Sequence, residues 1–495
     1  MSEASLLAPE ILLLAAAGGT VLVNLLVRGE SRRGPAHATF VGLLLALASA
    51  AALLHHEPVS IMAGTLQIDP FAQFFKCLLI LGALIVSVLG SESGQIRDEN
   101  QVEFQAMLCV AASAACISLS ASHLLTLFAS LECVSLVCAL MVAFAPASRR
   151  SGDAAIRLVA YSSMATLLFL LGVVLLYAYA HTLSIPEIQK VVAADTSGSP
   201  YFWISFALVY IAIATKISIF PFHLATPGVF GGAPTPVAAL LSVVPAIAGL
   251  GLCVKTCLQI FSVRAPGAEE WVVSAGIHWP GFLAVAAATT MTLSNLMMLR
   301  QNNLKRLMAL STVVQASYLL LSIAVVSLSG LGTAMFGALV HIVSTLGAYL
   351  VLMHCMDSSG SEGLDAVRGL IWRRPAMAVA FSAFLLSLAG LPPFAGFVSR
   401  TYLIAEVIKQ QQYGFAVVVA INTVLGCVPF LGLLRHLVED APRGASGAHS
   451  RGSASSSTMV LDITTAVLAL PTLLIGVYWD TLILSISNSL RMILW

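Results

Sequence analysis

Long apolar runs with almost no charge recur along the whole chain, and they leave it few ways to fold. Each is about 20 residues long, the length an α-helix needs to cross the hydrocarbon core of a bilayer. About fourteen can be marked off by this length rule, at 9–27, 37–54, 72–90, 103–121, 123–145, 154–180, 202–223, 236–261, 280–299, 304–328, 330–355, 376–400, 413–437 and 459–485. Lipid offers the backbone no water, so a chain crosses it only as α-helices or a closed barrel, and runs of this length select helices. Of 495 residues, 59% are hydrophobic and only 9% charged, which no soluble globular domain resembles. The expected fold is an all-α polytopic membrane protein, a single transmembrane domain over 1–495 in contact with the lipid bilayer.

Charge and cysteine content narrow the functions further. Lys and Arg number 24 against 23 Asp and Glu, so no bulk charge favours nucleic acid. The nine cysteines are scattered singly, without ligand spacing, so neither a metal nor a structural disulfide is expected. The N-terminal APEILLL has no basic stretch before it and reads as a first span rather than a cleaved signal. Connections are short, and the longest polar stretch, 439–458, reads as a mobile Gly/Ser-rich loop. Connections after odd-numbered spans hold Arg28, Arg32, Arg33, Arg149, Arg150, Arg300, Lys305, Arg306, Arg368, Arg373, Arg374, Arg443 and Arg451. Those after even-numbered spans hold chiefly Lys190 and Arg264 and are otherwise neutral or acidic, with Glu57, Asp69, Glu187, Glu269 and Glu270. Short cytoplasmic loops are enriched in Lys and Arg, which places both termini on the non-cytoplasmic side.

Few ionisable residues sit at hydrocarbon depth, where each costs roughly 2.5–3.5 kcal/mol on insertion scales and normally faces a bundle interior or a wet pathway. Glu132 lies in the fifth span, Lys216 in the seventh within IAIATKISIFPFHLATPGVFGGAPTP, His341 in the eleventh and Arg400 at the end of SLAGLPPFAGFVSR in the twelfth. Pro221 and the Pro392/Pro393 pair each interrupt their helix at depth beside a cation. Paired interruptions five spans apart point to two inverted five-helix repeats, about 103–261 and 280–437, with a transport pathway between the breaks. Plainer readings stand beside these. Lys216 snorkels to an interface, Glu132 lies at a lipid edge, His341 is a packing histidine, Arg400 binds free carbonyls, and His223 with its glycines is loop structure. If Glu132 and Lys216 meet, the carboxylate favours the charged amine, and separating the two favours proton release. No nucleophile–base constellation or dinucleotide fingerprint is present, so redox chemistry on this chain is not expected.

KISIFPFHLATPGVFGGAPTPV, NLMMLRQNNLKRLMALSTVVQASYLL, SLAGLPPFAGFVSRTYLI and IDPFAQFFK resemble the hallmark segments of the antiporter-like membrane subunits of respiratory complex I, NADH-quinone oxidoreductase, most closely its subunit N branch. The resemblance covers essentially the whole chain. It implies a proton-translocating unit of the membrane arm in a bacterial inner membrane, assembled with the other membrane and peripheral subunits. NADH oxidation and quinone reduction, with FMN, iron–sulfur clusters and quinone, would then belong to partner subunits, and this chain would hold no cofactor. The family's fifth-helix glutamate maps onto Glu132 and its seventh-helix lysine onto Lys216. Two positions depart: the family's eighth-helix lysine is replaced at Ala246, beside Pro245, with Lys255 about nine residues on, and the lysine after the second break is Arg400. Arginine does not release its proton at working pH, so Arg400 gates or orients water rather than relaying, and either waters with groups such as Ser242 and His341 bridge the missing amine or this copy conducts poorly. The departures leave room for a scaffold subunit without conduction. The PFHLATPGVFGGAPTP segment suits Mrp-type cation/proton antiporters as well.

Overall fold

A computed structural model describes residues 3–26, 33–144, 149–194, 200–263, 271–273, 278–439, 455–480, 482–484 and 486. The expectations that rest on Arg28, Arg32, Arg264, Glu269, Glu270, Arg443 and Arg451, and most of the 439–458 loop, lie outside these residues. Thirteen helices among the described residues are long and apolar enough to cross a bilayer. The remaining crossing, the twelfth, is made by two shorter helices in series, Pro375–Ala389 and Ala395–Lys409. Together these give the fourteen spans expected from the apolar runs, and the two small β-hairpins, Val59–Ile61 with Leu66–Ile68 and Ser262–Val263 with Val272–Val273, lie in connections.

The connections alternate between two ends, as successive crossings require. After odd-numbered spans, Gln95, Arg150, Ala233, Lys305 and Glu362 line one cleft of about 500 Å³. At the other end Ser122 N donates to Thr65 O at 3.0 Å, Leu124 N to Leu183 O at 3.0 Å and Trp271 N to Val326 O at 3.2 Å, tying even-numbered connections together. Spans eight, ten and eleven are buried almost throughout, whereas one, two, six, thirteen and fourteen leave most of their length exposed. Those outer surfaces carry leucines, valines and isoleucines that suit lipid or apolar neighbours alike. The polar groups that matter therefore sit among the central spans. All nine cysteines are free thiols.

Candidate functional site

The first half of the seventh span, Pro200–Ile217, stops one residue after Lys216. Pro221 has no N–H to continue the ladder, and the chain passes through a short turn, Phe222–Leu224, into the small helix Thr226–Gly232. Backbone groups freed by the break find partners in the protein, as they must in lipid. Phe220 N donates to Thr290 Oγ1 at 2.8 Å, and Tyr210 Oη donates to Phe220 O at 3.1 Å. Gly249 of the eighth span lies against the Lys216 backbone so closely that a Cβ there would be 3.1 Å from Lys216 Cβ.

The Lys216 ammonium turns toward the fifth and sixth spans. It donates to Ser135 Oγ, to Ser162 Oγ at 3.2 Å and to Leu131 O at 3.4 Å, which occupies all three of its donors. A cavity of about 90 Å³ opens beside it, walled in part by Ser135, Ser162, Thr312, Pro245 and Ala246. That is room for several waters. Glu132 lies one turn from Ser135 on the same face of Leu124–Val142, near enough for its charge to act on Lys216. The direct Glu132–Lys216 contact considered from the sequence is absent, however, since no ion pair within 4.0 Å joins them. Hydroxyls and a carbonyl hold the ammonium instead, and Glu132 Oε2 is buried without a hydrogen-bond partner.

His341 is buried on the eleventh span. Its Nε2 lies 3.1 Å from Ser242 O and its Nδ1 3.0 Å from Thr345 Oγ1. A carbonyl only accepts, so Nε2 carries the hydrogen, and in the neutral ring Nδ1 accepts from the threonine hydroxyl. Ser242 precedes Ala246 by one helical turn, so the imidazole sits one turn from the Ala246 position. On the eleventh span, Leu328–Ser359, one turn beyond His341, Ser344 Oγ donates to Ser387 Oγ at 2.9 Å, which also accepts from Gly396 N at 3.3 Å. This leads directly to the second break.

There Arg400 does what the plainer reading supposed. Its guanidinium donates to the carbonyls of Leu388 and Ala389, which end the helix Pro375–Ala389, and lies 4.9 Å over the Tyr318 ring. Gln315 Nε2 donates to Leu388 O at 3.0 Å. Gly390 adopts φ +78° beside the guanidinium, and a Cβ there would be 2.3 Å from Arg400 Nη1. Farther along the second half, buried Glu406 accepts from Ser329 Oγ at 2.5 Å and pairs with Lys409 at 2.6 Å.

The structure places Glu132 on the fifth span, Lys216 on the seventh, His341 on the eleventh and Arg400 on the twelfth, with Ser135, Ser162, Thr345, Ser344, Ser387 and Gln315 supplying local contacts around them. None of these six was singled out from sequence, although Ser135 stands at helical spacing from Glu132, and Gln315 and Ser387 lie in the hallmark segments. His223, read as loop structure, is buried with neither ring nitrogen partnered.

At the arginine-rich end, Lys305 Nζ donates to Ala233 O at 2.9 Å, just past the helix Thr226–Gly232, and pairs with Glu362 at 2.6 Å. Burial opposes ionisation of Glu362, but the hydrogen bond and charge of Lys305, with Asn303 and Arg150, outweigh it and hold the carboxyl below its usual range. The carboxylate that holds Lys305 in place at neutral pH therefore stays charged.

Residues 121–426 match the family described as NADH:quinone oxidoreductase/Mrp antiporter, TM. NADH-quinone oxidoreductase subunit N of Anaeromyxobacter sp. (strain Fw109-5) is 33% identical over 474 residues, covering 91% of this chain and 90% of its own. In fold, the chain is similar to one in the respiratory complex I of Thermus thermophilus, with a TM-score of 0.75 at 24% identity over 96% of this chain and 99% of that one. It is also similar in fold to a chain of the Mrp complex from Dietzia sp. DQ12-45-1b, with a TM-score of 0.82 at 21% identity over 99% of this chain and 97% of that one. With a family match over most of its central spans and a relative this close over nearly its whole length, the chain belongs to the NADH:quinone oxidoreductase/Mrp antiporter transmembrane family, in its NADH-quinone oxidoreductase subunit N branch.

Proposed function

We propose that this chain is a proton-translocating subunit in the membrane arm of an NADH-quinone oxidoreductase, using Glu132, Lys216, His341 and Arg400 as its pathway. The observation that carries the reading is Lys216 itself: a partly buried ammonium at a helix break, held by two hydroxyls, facing a cavity large enough for water. In this reading protons are gathered at the cleft of odd-numbered loops and reach the cavity, where Lys216 takes and releases them as Glu132 is neutralised or recharged. His341 passes them between the halves along its two hydrogen bonds. Arg400 keeps its charge throughout and positions water at the second break. The breaks fall in the fourth span of each five-span segment, 103–261 and 280–437, which supports inverted repeats. Electron transfer, with FMN, iron–sulfur clusters and quinone, belongs to partner subunits. The chain sits in the bacterial plasma membrane with both termini on the non-cytoplasmic side.

Glu132→Gln tests this with little change of volume. Proton translocation by membrane vesicles, measured against NADH-driven quinone reduction, is expected to fall about tenfold or more, as when a proton-transfer group is removed. Assembly should be unchanged. Undiminished pumping would remove Glu132 from the pathway.

A scaffold without conduction is the second reading, favoured by Ala246 in the cavity wall and by the engagement of Arg400 with backbone carbonyls. Arg400→Lys separates the two. Lysine presents a point charge where arginine presents a fork, so one carbonyl loses its partner at a cost of about 1–3 kcal/mol. The pumping reading expects slightly lower thermal stability of the complex with translocation kept or raised. A scaffold shows the same loss of stability and no pumping attributable to this subunit in either form.

A further inference from the structure

A second set of buried charges lies outside the pathway just described. Lys76 Nζ of the third span, Pro70–Glu92, is 2.6 Å from Glu10 Oε1 of the first, and Lys255 Nζ of the eighth is 3.8 Å from Asp69 Oδ2, at the start of the third. All four side chains are at least 95% buried. Asp69, Gln73 and Lys76 follow one another at helical spacing on one face. The two lysines are close enough to repel each other, and Cys77 of the third span and Cys116 of the fourth are further titratable groups beside them. Two acidic and two basic side chains, equal in formal charge, are thus paired in the buried interior.

Struts holding the first and eighth spans to the third would explain the pairs, but two features go further. Asp69 Oδ1 is engaged as a helix cap by Ala72 N at 2.7 Å, which leaves Oδ2 to face Lys255 Nζ. Lys255 stands in a π-helical turn, Val254–Leu258, a distortion frequent at functional sites. Gln73, between Asp69 and Lys76 on the third span, is wholly buried with both amide atoms unpartnered, and buried polar groups of this kind take up water. The eighth span also links these pairs to the Lys216 cavity. Ala246 lines that cavity, and Lys255 lies nine residues on, roughly 13 Å along the helix, beyond the apolar turn Leu250–Cys253.

We propose that Glu10, Asp69, Lys76 and Lys255 form a second proton-exchange site, at the end of the bundle opposite the arginine-rich loops. It rests on the proton-translocating reading and extends it along the span that lacks the family lysine. A proton held on Lys255 Nζ passes to Asp69 Oδ2, leaving a neutral amine and a neutral acid. Asp69 then gives the proton to water at the loop face and becomes a carboxylate again. The amine is recharged from the cavity side, so one proton enters for each that leaves and nothing is oxidised or reduced. Glu10 and Lys76 stay paired while Asp69 and Lys255 are neutral. The apolar turn separates the two sites in this conformation.

The test uses the whole complex in membrane vesicles carrying Asp69→Asn with Lys255→Gln, a neutral pair that retains the helix cap. The proposal expects normal assembly with proton translocation per quinone reduced lowered about tenfold or more. A strut would be repaired by the neutral amides, so wild-type pumping overturns the proposal. Lys216→Ala runs in parallel: if that variant pumps normally too, the failure lies with the translocation reading itself. The unsubstituted complex supplies a second measurement that does not depend on the variant folding. Dicyclohexylcarbodiimide attaches to protonated carboxyls, and peptide mass spectrometry is expected to find it on Asp69 or Glu10, more during turnover than at rest. Absence from both residues during turnover overturns the proposal.

Discussion

Exchanging Lys216 for arginine is expected to stop proton translocation while the complex still assembles. The guanidinium retains a positive charge and enough donors for Ser135, Ser162 and the Leu131 carbonyl, and the adjoining cavity of about 90 Å³ accepts its extra bulk. Its proton, held with a pKa above about 12, does not leave at working pH. Pumping should therefore fall to about a tenth or less of the wild-type rate, with normal amounts of complex in the membrane. Pumping at the full rate would show that the position needs a charge and not a titrating amine.

The largest structural effect is expected from Gly396→Ala. A Cβ at Gly396 would stand 1.8 Å from the Ser387 carbonyl oxygen and 2.7 Å from its carbon, both of them backbone atoms. No rotamer relieves that clash, so the two halves of the twelfth span must move apart, at a cost on the order of 3 kcal/mol or more. Arg400 and the Ser344–Ser387 hydrogen bond would lose their geometry together. Complex abundance and thermal inactivation of quinone reduction in membranes read this out. Gly414→Ala is the control, since nothing lies within 4 Å of a Cβ there. Assembly and stability equal to the control would contradict the tight crossing seen at the second break.

Much of this architecture is legible in sequence because lipid makes it so. Apolar length reports crossings directly, and Pro221 and Pro392/Pro393 mark the interruptions by removing donors the helix needs. Glu132, Lys216, His341 and Arg400 stood out because an ionisable residue in an apolar run is conspicuous at any span's centre. The same rule fails near span ends, where a charge at the interface looks like one in the core. Asp69 was for that reason read with the loop acids, and Glu10, Lys76 and Lys255 were not recognised as buried partners, since their pairing crosses long stretches of chain. Hydroxyls hide differently. Ser135, Ser162 and Ser344 are ordinary helix serines until a partner from another span faces them. Where a direct Glu132–Lys216 contact was one possibility in sequence, the ammonium engages those hydroxyls instead. Arg400 shows the opposite case, in which the break alone explains where the guanidinium binds and its role in transport needs a separate test.

The measurement that reaches the central claim most directly is the rate of proton translocation together with the rate of NADH-driven quinone reduction, in vesicles carrying Lys216→Ala beside the unsubstituted complex. Removing the amine leaves an apolar methyl at the head of the cavity and nothing there to take a proton. If Lys216 carries protons, translocation and the quinone reduction linked to it both fall while the complex remains assembled. If both continue at wild-type levels in the assembled complex, Lys216 is a structural residue and the subunit keeps a transporter's fold without conducting.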